Sequence, residues 1–279
     1  SDGVMVFIAS DTPQPHHVHR PAQRPARITA RRSIAALGLR EMVTTYGRSP
    51  GGWLWAVLEP VAAIALLSFA FSLAFHAPPL GSDFPLFYAS GFLPYMLFHD
   101  ISQKVAASIR FSRPLLSFGA VTYLDTLIAR FLLNVLTHLV IISLVLTGIL
   151  ALSGAGHHIE FHQISIALGG AAALAVGIGT LNCYLFTAFP AWERLWAIGL
   201  RPLFIISGVV FLFEDVPADY QSLLVLNPLF HVTGLMRAAI YPTYAPIYIN
   251  MWFVFGLALA TCGLGMLLLH RFHDELVHK

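Results

Sequence analysis

Apolar residues in this chain come in long runs, parted by short polar, glycine-rich or proline-rich breaks. A helix needs about 20 apolar residues to cross a hydrocarbon layer. Six stretches have that reach: Trp53 to Phe75, Phe84 to Ala107, Thr126 to Leu152, Gln163 to Phe189, Leu195 to Phe213 and Ile247 to Leu269. An even number of crossings returns both termini to one side. Ahead of the first run, Leu37, Leu39, Met42, Val43 and Tyr46 recur at helical steps among Arg40, Glu41, Thr44 and Thr45. That spacing predicts an amphipathic helix at a water–apolar boundary. Gly47, Ser49, Pro50, Gly51 and Gly52 then break the helix, and Trp53 and Trp55 open the first span, where indoles favour the interface.

Two connecting segments depart from ordinary loops. Arg110 to Asp125 starts basic, mixes Phe111, Leu115, Leu116, Phe118 and Tyr123 with Arg113, and is broken by Pro114 and Gly119. It reads either as a short helix that docks on a partner or as an interfacial loop over the bundle. Between spans five and six, Tyr220 to Leu226 and Leu229 to Tyr241 are apolar but too short to cross, and Pro217, Pro228, Pro242 and Pro246 bound them. Re-entrant or interfacial helices fit, since irregular backbone at membrane depth needs protein or water beside it.

Charge orients the spans. Fifteen of the 16 Lys and Arg fall before span one, between spans two and three or at their facing ends, in or beside the connection of four and five, or after six; Arg237 alone falls on the other side, with Asp83, Glu160, Glu214, Asp215 and Asp219. By the positive-inside rule both termini are expected in the cytoplasm. Composition agrees with a membrane protein: 57% hydrophobic and 11% charged residues cannot cover a water-soluble surface. Residues 1–30, rich in Pro, His and Arg, read as a disordered tail beside a single membrane domain over 31–279. Its initial apolar stretch is too short for a signal peptide. His16, His17 and His19 offer metal donors but have no second cluster nearby, so a flexible tail is the expectation. Cys183 and Cys262 lie inside apolar runs, as small buried hydrophobes do.

Catalytic signatures are missing. A phosphate-binding Gly-x-x-x-x-Gly-Lys-Ser/Thr loop cannot be built from the two lysines, Lys104 and Lys279. No His-Glu-x-x-His helix or Gly-x-Ser-x-Gly elbow occurs, so no catalytic, metal or cofactor residue is assigned. Polar residues inside spans carry more information. Glu59, ahead of Pro60, reads as a channel-facing or hinge carboxylate, or as a structural acid paired with Arg. His99, Asp100, Ser102, Gln103 and Lys104 make the second half of span two too wet for lipid, so it lines a cavity or packs on a partner. Asn134 and His138 share a face, for hydrogen bonding between helices or for lining a pathway. Gly169, Gly170, Gly177 and Gly179 in span four suggest close helix packing. Tyr88, Phe92, Tyr95, Phe98 and Tyr184 lie within spans and could stack on sugar rings or simply pack.

Several of these pieces together resemble the membrane subunit of ABC-2-type exporters, specifically the capsular polysaccharide export permeases of Gram-negative bacteria. The resemblance runs from Leu39-Arg40-Glu41 through Tyr46-Gly47-Arg48 to Gly52-Trp53-Leu54-Trp55 and Leu58-Glu59-Pro60. It continues in Phe84-Pro85-Leu86-Phe87, Gly91-Phe92-Leu93-Pro94, Leu124-Asp125-Thr126-Leu127-Ile128-Ala129-Arg130, and Asn227-Pro228-Leu229-Phe230-His231-Val232 with Arg237 beyond. It implies an all-α homodimeric permease of the inner membrane, driven by two ATPase subunits that hold ATP and Mg and dock on the Arg110–Asp125 segment. The cargo implied is a lipid-linked acidic polysaccharide, handed to periplasmic and outer-membrane export proteins; no nucleic-acid partner is expected. Arg40 and Arg48 are then candidates for anionic head-group contact or for membrane anchoring. Trp53, Trp55, Glu59, Tyr88, Tyr95, Phe98 and Tyr184 are candidates for the pathway, and Asn227, Pro228, His231 and Arg237 for an outer cap. Fewer cations stand around Thr44, Thr45, Phe118, Gly119 and Thr122 than the family pattern carries. Rival expectations are a permease for an O-antigen or teichoic-acid glycolipid, and a lipid-modifying membrane enzyme.

Overall fold

The computed structural model describes residues 30–46, 51–116, 122–153 and 159–278, and the described residues form helices with no strand. The tail expected over 1–30 lies outside them up to residue 29, as do Arg48 and Phe118. Ten helices follow in order: α1 (Ala30–Tyr46), α2 (Gly52–Ala74), α3 (Phe84–Ala106), α4 (Ser108–Leu116), α5 (Tyr123–Ser153), α6 (Phe161–Ala188), α7 (Pro190–Ile206), α8 (Ala218–Val225), α9 (Pro228–Ile240) and α10 (Met251–His278).

Four of these are long and apolar enough to cross a membrane: α2, α5, α6 and α10. The α8–α9 pair, bent by 100° at Leu226-Asn227, brings the number of candidate spans to five if it is counted as one broken span. Each of the six predicted runs contains a helix, the fifth only as far as Ile206, but α3 and α7 fall short of that standard for different reasons. Prolines, tyrosines and the His99–Lys104 polar run lower the hydropathy of α3. The second, α7, is only 17 residues long. Gly208, with φ of 73°, stops it soon after Ile206, since a left-handed residue just past a helix end is the usual glycine stop. A Cβ there would also meet the Phe230 ring at 2.6 Å.

Helix α6 is the centre of the bundle, packed against α10, α3 and α9. Missing Cβ atoms allow it: one on Gly177 would lie 2.4 Å from the Ala258 carbonyl of α10, and one on Gly179 would lie 2.8 Å from Val105 and 2.9 Å from the Ser102 carbonyl of α3. Gly170 meets Met251 and Val254, whereas Gly169 faces open space. Three of the four glycines expected at close contacts are therefore there. The core is completed by α3, which buries Leu86, Phe87, Leu93, Leu97, Phe98 and Ile101. By contrast α2 is mostly exposed along its length, with Leu54, Trp55, Leu66, Phe69 and Leu73 all outward, and α7 buries only Leu200.

In α1 the buried stripe is not the one the apolar spacing suggests. Leu37 and Glu41 pack inward on α5, while Leu39 and Val43 are exposed. The reason is electrostatic: Glu41 meets a buried cation.

Candidate functional site

A cavity of about 620 Å³ opens between α2, α3 and α7. Its walls combine Glu59 of α2 with Phe92, Tyr95, Met96, His99, Asp100 and Gln103 of α3 and Leu200, Arg201 and Phe204 of α7. The helical period makes this wall, since Phe92, Met96, Asp100 and Gln103 lie at steps of four, four and three on one face of α3. Tyr95 and Phe92 meet Phe204 edge-on, with ring centroids at 5.3 and 6.2 Å, and the Tyr95 hydroxyl donates to the Leu200 carbonyl at 3.0 Å. Aromatic faces, carboxylates, an amide and a guanidinium thus share one concave surface. Such a surface can stack on the C–H face of a sugar ring and hydrogen-bond its hydroxyls.

Behind the cavity a ladder of polar side chains runs through α1, α3 and α5. Asp100 Oδ2 lies 3.1 Å from Nε2 of the buried His138, and Asp100 Oδ1 lies 3.0 Å from His99 Nδ1. One turn along, Lys104 donates to Asn134 Oδ1 at 2.7 Å. The Asn134 amide donates to Glu41 Oε1 at 3.3 Å, and Arg130 Nε donates to Glu41 Oε2 at 3.2 Å. Arg130 also donates to the Lys104 carbonyl at 2.8 Å, fastening α5 to the end of α3. Buried charges survive only when paired and hydrogen-bonded, and Glu41, 4% exposed, meets that condition. The ladder accounts for Asn134 and His138 as links between helices.

Helix α4 leaves this ladder at Ser108 and Ile109, both buried. Two guanidinium groups approach the Phe111 ring, Arg130 at 4.2 Å and Arg40 at 5.1 Å from its centroid. Its neighbour Arg110 turns the other way and grips both carboxylate oxygens of Glu193, in the first turn of α7, at 2.8 and 2.9 Å. Hydrogen bonding to Arg110 holds the Glu193 carboxyl below its ordinary range, and the same bond raises Arg110.

On the far side of the bundle, Asn227 caps α9 by accepting from the Leu229 amide at 3.1 Å, with Pro228 preset at the first helical position. The Asn227 amide also donates to the Ile206 carbonyl and the Ser207 hydroxyl at 3.0 and 3.1 Å, tying α9 to the end of α7. His231 bridges Val225 and Asn250: its Nε2 is 2.8 Å from the Val225 carbonyl, and its Nδ1 accepts from the Asn250 amide at 3.1 Å. Arg237, 1% exposed, donates to the carbonyls of Val209 and Phe211 at 3.0 and 2.9 Å and sits 4.3 Å from the Phe87 ring centroid.

No protein-family model matches the chain. Similar proteins are nonetheless plain. The polysialic acid transport protein KpsM of Escherichia coli is 32% identical over 246 residues, covering 87% of this chain and 94% of that protein. This chain belongs to the family of capsule polysaccharide export inner-membrane proteins. Two further members, CtrC of Neisseria meningitidis and BexB of Haemophilus influenzae, are 24% and 26% identical over 257 and 243 residues, covering 91% and 86% of the chain and 96% and 91% of those proteins.

Within this capsule-export fold, the residues singled out from sequence scatter over several places. Glu59 and Tyr95 meet at the cavity. Tyr88 is buried instead among Phe71, Phe84 and Phe87, Phe98 is a core residue at 1% exposure, and Tyr184 stacks at a tilt on Phe272 of α10. None of the three lines the cavity. Trp55 is exposed on α2, the helix that also carries Trp53. Arg40 lies over Phe111 and is not among the residues that line the cavity. Of the segment expected to receive an ATPase, Arg110, Phe111, Arg113, Leu115 and Leu116 belong to α4 and Tyr123 begins α5, its hydroxyl 3.5 Å from His270 Nδ1. Cys183 and Cys262 are free thiols, the first buried and the second half-buried. Sequence reasoning passed over Arg201 and Phe204 as cavity residues and Glu193 as the partner of Arg110 outside the cavity. Their signal was available in the helical stripe Glu193, Ala197, Arg201, Phe204, read at the α7 periodicity.

Proposed function

We propose that this chain is the permease subunit of an ATP-driven exporter that carries lipid-linked capsular polysaccharide across the inner membrane. The observation that carries the reading is the polar and aromatic cavity between α2, α3 and α7 in a chain related along most of its length to KpsM. Glu59, Tyr95, His99, Asp100 and Arg201 would contact the glycan. A second copy set against the exposed flanks of α2 and α7 would close the cavity into a conduit. All six predicted spans cross the bilayer in this reading, including α3 with its wet face turned to the conduit, and α8–α9 form a re-entrant cap on the periplasmic side. Both termini are cytoplasmic. Two ATPase subunits, holding ATP and Mg, dock on α4, and their closure moves the bundle ends; periplasmic and outer-membrane export proteins receive the polymer.

The test is reconstitution. Co-expressed with its ATPase partner and placed in proteoliposomes, the permease is expected to give ATP hydrolysis stimulated by the lipid-linked glycan, and to restore surface capsule in a host lacking its own permease. Failure to retain any ATPase subunit through mild purification would refute the assignment.

A further inference from the structure

Helix α7 has an unusual place in the molecule. It supplies one wall of the cavity through Ala197, Leu200, Arg201 and Phe204, yet it buries only Leu200. Besides this residue and the half-buried Trp196, Leu203 and Phe204, its seat rests on polar ties that can be followed along it. Near its start, Trp192 Nε1 donates to Asn182 Oδ1 of α6 at 2.9 Å, and the Glu193 carboxylate takes the Arg110 fork of α4. At its middle the Leu200 carbonyl accepts from Tyr95. At its end the Ile206 carbonyl accepts from Asn227, the cap of α9. With 17 residues it reaches roughly 25 Å from α4 to α9.

The Arg110–Glu193 tie differs from the others. It is bidentate and charge-assisted, the geometry that fixes relative orientation as well as distance. Its partner helix is short and itself held, with Phe111 against the guanidinium groups of Arg40 and Arg130. Glu193, Ala197 and Arg201 lie at steps of four, so a displacement imposed at Glu193 is delivered along the stripe that faces the cavity. We propose that the Arg110–Glu193 pair is the mechanical tie through which α4 sets the position of α7, making Glu193 a positioning residue for the cavity wall. The transport half of this inference rests on the export reading above; the mechanical half does not.

Because both side chains are partly exposed, at 56% and 39%, removing the pair leaves overall stability almost unchanged, which separates the tie from a folding role. The experiment has two arms. In the first, Ala197→Cys is introduced into a cysteine-free background and its rate of labelling by a water-soluble maleimide is followed in proteoliposomes. Glu193→Arg is expected to raise that rate at least roughly threefold by freeing α7, and Arg110→Glu combined with Glu193→Arg to return it to the starting value, with melting temperatures unchanged. Unaltered labelling in Glu193→Arg, or a change that the swap does not reverse, overturns the tie. In the second arm, with the ATPase partner present, Glu193→Arg is expected to hydrolyse ATP normally while exporting roughly 5- to 100-fold less glycan per ATP, again with recovery in the swap. Normal export in Glu193→Arg overturns the coupling role. If the unaltered permease fails to export at all, the functional assignment falls while the labelling arm still decides the tie.

Discussion

Replacing Arg237 by Met asks what a wholly buried guanidinium is for when no carboxylate among the described residues pairs with it. The side chain donates to the carbonyls of Val209 and Phe211, two groups in the irregular stretch between α7 and the 3-10 turn at Phe213–Asp215. Methionine fills similar space but leaves both carbonyls without their donor. Hydrogen bonds from a charged donor contribute about 1.5–3 kcal/mol each, and a desolvated cation over an aromatic ring, here Phe87, adds about 2 kcal/mol. Against this stands the desolvation of the guanidinium, several kcal/mol that Met does not incur. The balance is a destabilisation of about 2–4 kcal/mol, concentrated where α3, α7 and α9 meet. Lysine keeps the charge but lacks the planar fork that reaches two carbonyls at once, so it should recover less than half of the loss. The assay is denaturation of the detergent-solubilised protein followed by a thiol-reactive dye, since Cys183 is buried and becomes reactive only on opening. A Met variant within about 0.5 kcal/mol of the parent, or a Lys variant equal to it, would show that these carbonyls do not depend on Arg237.

Gly179→Ala is expected to cost about 1–3 kcal/mol, because its new methyl meets Val105 and the Ser102 carbonyl, whereas Gly169→Ala, in open space, should stabilise the helix by up to about 1 kcal/mol; paired melting curves decide it. Glu41→Gln leaves the Arg130 guanidinium buried without its anion, a loss of about 3–5 kcal/mol that should appear as faster amide exchange throughout α1. For the Arg110–Glu193 pair the sign of the pH dependence follows from the lowered Glu193 carboxyl. Its contribution is complete above the ordinary glutamate range and is lost as pH falls through the lower folded value, so labelling of Ala197→Cys by a reagent that is insensitive to pH should stay level from neutral pH to mildly acidic pH and rise only in stronger acid.

Much of this architecture is legible in one sequence because membrane helices declare themselves locally. Runs of apolar residues and the prolines and glycines between them place α2, α3, α5, α6, α8 and α9 within a few residues of the observed ends, whereas α10 runs on past the apolar run, from Leu269 to His278. The wet half of α3 likewise announces the cavity, since polar residues at that depth need water or protein beside them. What stays hidden is set by partners distant along the chain. Glu41 is inward because Arg130, 89 residues later, is there to meet it, and Glu193 faces α4 because of Arg110, 83 residues earlier. Tyr88 and Phe98 show the opposite failure. An aromatic residue in a span has the same sequence signature whether it faces a conduit or the core, and these two are packed among other rings and aliphatic side chains.

The glycine contacts of α6 have a consequence for how such a molecule can move. With α6 wedged against the backbone of α10 and α3 at separations that leave no room even for a methyl group, those three helices cannot slide or roll past one another without collision, so they behave as a stator. Deformation is left to the lightly seated members, α2 and α7, which form two of the three cavity walls. The cavity would thus widen and narrow by swinging its outer leaves against a fixed post, and comparing isotope uptake in α7 with that in α6 would reveal the division of labour.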